Sequence, residues 1–162
     1  MINSMEKKME EMKKMKKMIH KIDKIQKKKM HNYLLRQLTE AVAQNNFAKV
    51  EELLKNGATI NGKDCFGMTP LEYAIRNGNV KMMEYLIQAG ANVDAKNEDE
   101  YTLLMLVIQG FKYAVGFPMV KILLKNGADV SIIGNGGMSA LSLARLFEPR
   151  YIGILKRYGA VF

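Results

Sequence analysis

A Gly-Ala corner that recurs at nearly constant spacing limits this chain more than any other feature. It stands as Asn56-Gly57-Ala58, Ala89-Gly90-Ala91, Asn126-Gly127-Ala128 and Tyr158-Gly159-Ala160, with glycines 33, 37 and 32 residues apart. A Leu- or Ile-bearing segment with helical spacing precedes each corner: 50–54, 83–87, 120–124 and 152–155. Glycine suits the left-handed residue that closes a helix, so each corner reads as a helix end. A second signal keeps the same beat. Thr69-Pro70-Leu71, Thr102-Leu103-Leu104 and Ser139-Ala140-Leu141 each place a hydroxyl residue where an N-cap would stand.

Residues 67–96 show the unit most completely. Thr69 caps, and Pro70 sits at the first helical position, where its missing N–H costs nothing. Leu71, Ala74 and Ile75 share one face before Asn77-Gly78 stops the helix. A second helix aligns Val80, Met83, Leu86 and Ile87. Helices this short are marginal alone in water. The unit therefore needs copies of itself, and an all-α stack follows.

A period near 33 with a Thr-Pro-Leu start and a Gly-Ala-x-Val end resembles the ankyrin repeat. The resemblance implies an all-α solenoid of four helix-turn-helix repeats, at about 33–63, 64–96, 97–133 and 134–162, preceded by a separate segment, 1–32. The first repeat lacks the Thr-Pro start. In the second, Glu72 stands where the family's histidine ties neighbouring turns, which leaves only an acceptor there. The third departs further: Leu103 replaces the proline, Met105 the histidine and Val107 a small alanine. It also carries four extra residues within 110–118, read as a loop holding Phe111, Tyr113 and Phe117, with Pro118 starting the next helix. These rings are expected to pack beside the adjoining repeat. Arg150, Lys156 and Arg157 give the last repeat a polar end.

The net charge of +9 is concentrated at the front. Residues 1–31 hold 11 lysines against four acids, and contain neither glycine nor proline. Asn3 and Glu6 have capping-box spacing. Ile2, Met5, Met9 and Met12, then Met15, Ile19 and Ile22, step along a helix that meets no breaker before Gly57. This Lys/Met-rich amphipathic helix allows three readings. Its methionines pack on the open end of the stack; or it docks on a partner helix or self-associates; or its lysines meet an anionic membrane or nucleic acid. The lack of Trp, Phe or Leu before Tyr33 weighs against membrane, and the lack of an Arg or Asn array weighs against base readout. A fourth arrangement lays the lysines over the acidic Asp94, Glu98, Asp99, Glu100 turn as a lid.

Nothing in the sequence composes a catalytic or metal centre. Cys65 is the single thiol, which argues against a disulfide framework and fits a reducing, cytoplasmic setting. The two histidines, His20 and His31, are three helical turns apart, too far to share a zinc ion. No phosphate loop or Ser-His-Asp set occurs. A non-enzymatic chain without cofactor is expected.

The resemblance implies protein–protein recognition through turn tips and the inner face of the first helices. Here those positions are Lys63, Cys65, Phe66, Met68, Arg76, Asn77, Lys96, Glu98, Asp99, Tyr101, Gln109, Asn135 and Met138, with Ala43 and Gln44 in the first repeat. Phe66, Met68, Tyr101 and Met138 combine exposure with interface chemistry. The competing reading packs them on neighbouring turns.

Overall fold

The computed structural model describes residues 2–161, with the side chains of 2–4 and of Tyr113 outside that description. Eight α-helices are present among the described residues: α1 (Ile2–Ala43), α2 (Phe47–Lys55), α3 (Pro70–Arg76), α4 (Val80–Gln88), α5 (Leu103–Gly110), α6 (Tyr113–Lys125), α7 (Ala140–Phe147) and α8 (Ile152–Arg157). The odd-numbered helices pack in one row, α1 on α3 on α5 on α7, and each even-numbered helix leans on its predecessor. One core threads the stack, from Leu38 and Val50 through Ile75 and Leu86, Val107 and Leu123, to Leu143 and Leu155.

The expected corners superpose. Gly57, Gly90, Gly127 and Gly159 all have φ between +87° and +97°, a region that costs other residues strain. The alanine N–H after each glycine donates back to the helix: Ala58 to Leu53, Ala91 to Leu86, Ala128 to Leu123 and Ala160 to Leu155, at 2.9–3.1 Å. The hydroxyl caps also form, with Thr69, Thr102 and Ser139 accepting from the N–H three residues on. Asn46 and Asn79 cap α2 and α4 in the same way.

The 110–118 segment corrects the sequence reading. It is not a loop that ends at Pro118. After Asn46 and Asn79 the next position in register is Lys112, and α6 starts directly after it. The four extra residues lengthen α6 to 13 residues, against nine in α2 and α4. Four residues are close to one turn of 3.6, so the apolar face keeps its phase. Pro118 is therefore inside the helix, where it forfeits one backbone bond. The first turn is held by Val115 and Gly116 N–H donating to the Lys112 carbonyl, at 3.0 and 2.9 Å. Phe111 and Phe117 are half-buried against the core, as the packing reading expected; the Tyr113 ring lies outside the described residues.

At the family's histidine position, Glu72 is buried and bound to Arg76 on its own helix at 2.8 Å. Adjacent repeats are tied elsewhere. Asn92 N–H donates to the Asn61 side chain at 2.8 Å, and one repeat later Asp129 N–H donates to Asp94 at 2.9 Å. These bonds join the same two corner positions in successive repeats and act as rungs.

The front of α1 corrects two further expectations. Met5, Met9, Met12, Met15, Met18, Ile19, Ile22, Ile25 and Met30 are all between 46% and 75% exposed, so they do not pack on the stack. Among the described residues no lysine of this segment forms an ion pair with the acidic turn, so no lid is present. Among the described residues the first side-chain hydrogen bond from α1 to the repeats is at His31, whose ring meets the Thr59 hydroxyl at 3.1 Å. The helix is already formed at Ile2, ahead of the expected Asn3 cap, whose side chain lies outside the described residues. At the far end Arg150, Lys156 and Arg157 are exposed as expected, and α7 also leaves Leu146 and Phe147 exposed.

Candidate functional site

Three fingers project between the helical pairs, each pinched at its base by one backbone bond. Asp64 N–H donates to Met68, Asn97 to Tyr101 and Gly134 to Met138, at 3.1, 2.9 and 2.8 Å. The middle finger carries a strained residue. Glu100 has φ +63°, where the other two fingers place Gly67 and Gly137.

The finger row begins late. A finger one period before 64–68 would fall within 31–35, but α1 runs through those residues as unbroken helix. The flank of the first finger thus faces α1 directly. Between them lies a groove of about 800 Å³, lined on one side by Asn32, Arg36, Thr39 and Glu40 and on the other by Lys63, Cys65 and Phe66. Helical spacing puts the α1 members on one face.

A carboxylate anchors the finger wall. Asp64 accepts the Phe66 and Met68 N–H groups at 2.9 and 3.1 Å on one oxygen, and the Tyr73 hydroxyl at 2.6 Å on the other. Burial first, and then the bond to Asp64, push the Tyr73 hydroxyl up to about 12. Tyr73 therefore stays a donor at neutral pH and holds Phe66 at the rim. Phe66 is 66% exposed, a large cost for a phenyl ring with nothing over it.

The sequence-predicted residues divide into three groups. Cys65 and Phe66 stand at the groove with Lys63, whose ammonium donates to the Lys96 carbonyl at 2.7 Å and so braces two fingers. Met68, Tyr101 and Met138 are half-buried, and the Tyr101 ring lies so close to Gly134 that a β-carbon there would meet it at 2.6 Å. For Tyr101 the packing alternative therefore applies. Glu98 likewise covers Gly67, while Lys96 pairs with Glu100 at 3.1 Å. Arg76, Asn77, Asp99, Gln109 and Asn135 are exposed along the row, as is Gln44, while Ala43 at the end of α1 lines the groove.

Asn32, Arg36, Thr39, Glu40, Asp64 and Tyr73 were not singled out from sequence, although they line the groove. The Asp64-x-x-Gly67 turn pattern is the signal that could have pointed to Asp64. Among the described residues no cluster of His, Cys, Asp and Glu is placed to hold a metal, and no helix is long and apolar enough to cross a membrane.

Comparison with known proteins agrees with the repeat geometry. A family model described as ankyrin repeats (3 copies) matches residues 20–97 and 38–134. The chain is 30% identical over 124 residues to an ankyrin repeat, SAM and basic leucine zipper domain-containing protein 1 of Dasypus novemcinctus, covering 75% of this chain and 26% of that protein. It is 41% identical over 70 residues to protein phosphatase 1 regulatory subunit 27 of Homo sapiens, covering 43% and 46%. An ankyrin repeat protein of Fowlpox virus is 34% identical over 105 residues, covering 62% and 30%. The chain thus spans less than half the length of each of these relatives.

Proposed function

Since the chain belongs to the ankyrin-repeat family, we propose that it is a non-catalytic protein-interaction module that seats a partner segment in the groove between α1 and the first finger. In this reading residues 33–162 are the receptor and 1–32 a separate arm. The observation that carries it is Phe66, held two-thirds exposed at the rim by the Asp64–Tyr73 bond. Aromatic anchors beside charged rims are typical of energetic centres in interfaces. Arg36 and Lys63 on one side of the charge balance, and Glu40 and Asp64 on the other, would orient the bound segment. A regulatory role by docking is in keeping with the name of the phosphatase regulatory subunit among the relatives.

The test uses the whole chain immobilised beside a Phe66→Ala, Arg36→Glu double variant. Both side chains are exposed, so the fold should be unaffected. Partners retained from native extract are quantified on each. The double variant is expected to lose retention by about tenfold, roughly 1.4 kcal/mol. Equal retention by a folded double variant refutes the groove as the seat.

A further inference from the structure

We propose that residues 12–25 of α1 form a second, independent docking element, and that its partner is an acidic protein groove with an apolar floor that encloses a helix. At about 100° per residue, Met12, Met15, Met18, Ile19, Ile22 and Ile25 fall within a sector of about 140°. Each is roughly half exposed, so the face is built and uncovered. Within the same stretch stand six lysines, Lys13, Lys14, Lys16, Lys17, Lys21 and Lys24, against one acid, Asp23.

The repeats cannot cover this face. The side of α1 that meets the core carries Leu35, Leu38, Ala41 and Val42, and it points about 160° away from the Met/Ile sector. Ile25 also lies about 12 Å beyond Tyr33 along the axis, which leaves the stretch open on every side. A second copy of the arm is disfavoured, since two strongly cationic helices would be brought face to face.

The position of the lysines decides between the acidic partners. Lys13, Lys17 and Lys24 gather on the back of the helix, roughly opposite the apolar face, while Lys14, Lys16 and Lys21 flank it. A flat bilayer that took up the Met/Ile face would leave the three back lysines across a helix diameter of about 10–12 Å. That is about one Debye length at physiological salt, so most of their attraction would be screened. Nucleic acid would use the lysines and leave the apolar face in water. A groove with acidic walls engages both at once, and flexible methionine side chains adapt to its floor.

The probe is calcium-loaded calmodulin, an acidic protein whose opened lobes present Met-lined apolar grooves. The full chain is titrated into it calorimetrically at physiological ionic strength. A saturable complex is expected that is lost when calcium is chelated. It should weaken by about tenfold or more in an Ile19→Asn, Ile22→Asn variant, and by as much in a Lys17→Glu, Lys21→Glu, Lys24→Glu variant. Thermal melts check that the repeats remain folded in both. The proposal is overturned by absence of binding, by wild-type affinity in either variant, or by tighter binding to phosphatidylserine-containing vesicles or short duplex DNA at the same salt. The Phe66→Ala, Arg36→Glu variant should bind the probe as wild type does, so this reading and the groove reading fail separately.

Discussion

Replacing Tyr73 by phenylalanine tests whether one hydroxyl sets the finger wall of the groove. The hydroxyl donates at 2.6 Å to Asp64, whose other oxygen holds the Phe66 and Met68 amides. A hydrogen bond to a charged acceptor contributes about 1.5–3 kcal/mol, and the open groove lets water replace part of it, so a loss of about 1–2 kcal/mol is expected at neutral pH. The pH dependence gives a sharper signature. Folding raises the Tyr73 hydroxyl to about 12, chiefly by burial, above the ordinary tyrosine range near 10. The native chain thus holds this proton more tightly than the unfolded chain does. Its contribution is complete below about pH 10 and is lost as pH climbs towards about 12. Two units correspond to at most about 2.7 kcal/mol, and solvent access reduces that to about 1–2 kcal/mol. Urea denaturation followed by far-ultraviolet circular dichroism, at matched pH values from neutral to about 11, measures both proteins. Lysine deprotonation affects the two equally and cancels in the difference. Stability curves that stay parallel through the alkaline range would refute the role given to this hydroxyl.

Other consequences can be read with the same measurement. Gly116→Ala should destabilise by about 1–3 kcal/mol, because a methyl group there collides with the Tyr151 hydroxyl and crowds Val107 and Phe111. Gly153→Ala, with no atom near its added carbon, should instead be neutral or stabilise by up to about 1 kcal/mol. Glu100→Gly should stabilise by about 0.5–1 kcal/mol, by relieving a left-handed backbone that its sister fingers give to glycine. Removing residues 1–30 should leave the thermal midpoint of the repeats unchanged within about 2 °C while lowering helical signal, since the described side chains removed are solvent-exposed. A fall of several degrees would mean that the arm supports the stack.

What the sequence made legible was whatever depends on one residue at one repeated place. The left-handed glycines and hydroxyl caps impose local backbone requirements, so their 33-residue beat can be read directly. The 110–118 segment reads as a loop because its local signals conflict with its register. Pro118 has the look of a helix start, and Gly116 that of a loop. Yet Lys112 already occupies the place of Asn46 and Asn79, without a side-chain bond to announce it. Gly116 is small because Tyr151, more than thirty residues on, fills the space beside it. The groove was invisible for a related reason. Its walls come from segments about thirty residues apart, and on the α1 wall only Ala43 carries a signal in the sequence.

The unbroken α1 helix connects both proposed surfaces to a single departure from the repeat. A standard unit would bend the chain into a finger at about 31–35, cover the flank of Phe66 and turn any preceding segment away. Here the absence of glycine or proline lets helix propagate through that place, and each added residue gains a backbone bond. The missing finger opens the groove, and the same straight run carries the Met/Ile face out beyond the stack. Because α1 is continuous, an object bound on residues 12–25 is held at a fixed distance and azimuth from Arg36 and Glu40. The Met/Ile sector and the Arg36–Glu40 face are separated by about ten residues or more, some 15 Å of helix. Two ligands spaced accordingly, or two segments of one partner, would gain from the rigid linkage; mismatched spacing would gain nothing. The continuity of this helix, more than the composition of either surface, is what would make the pair selective.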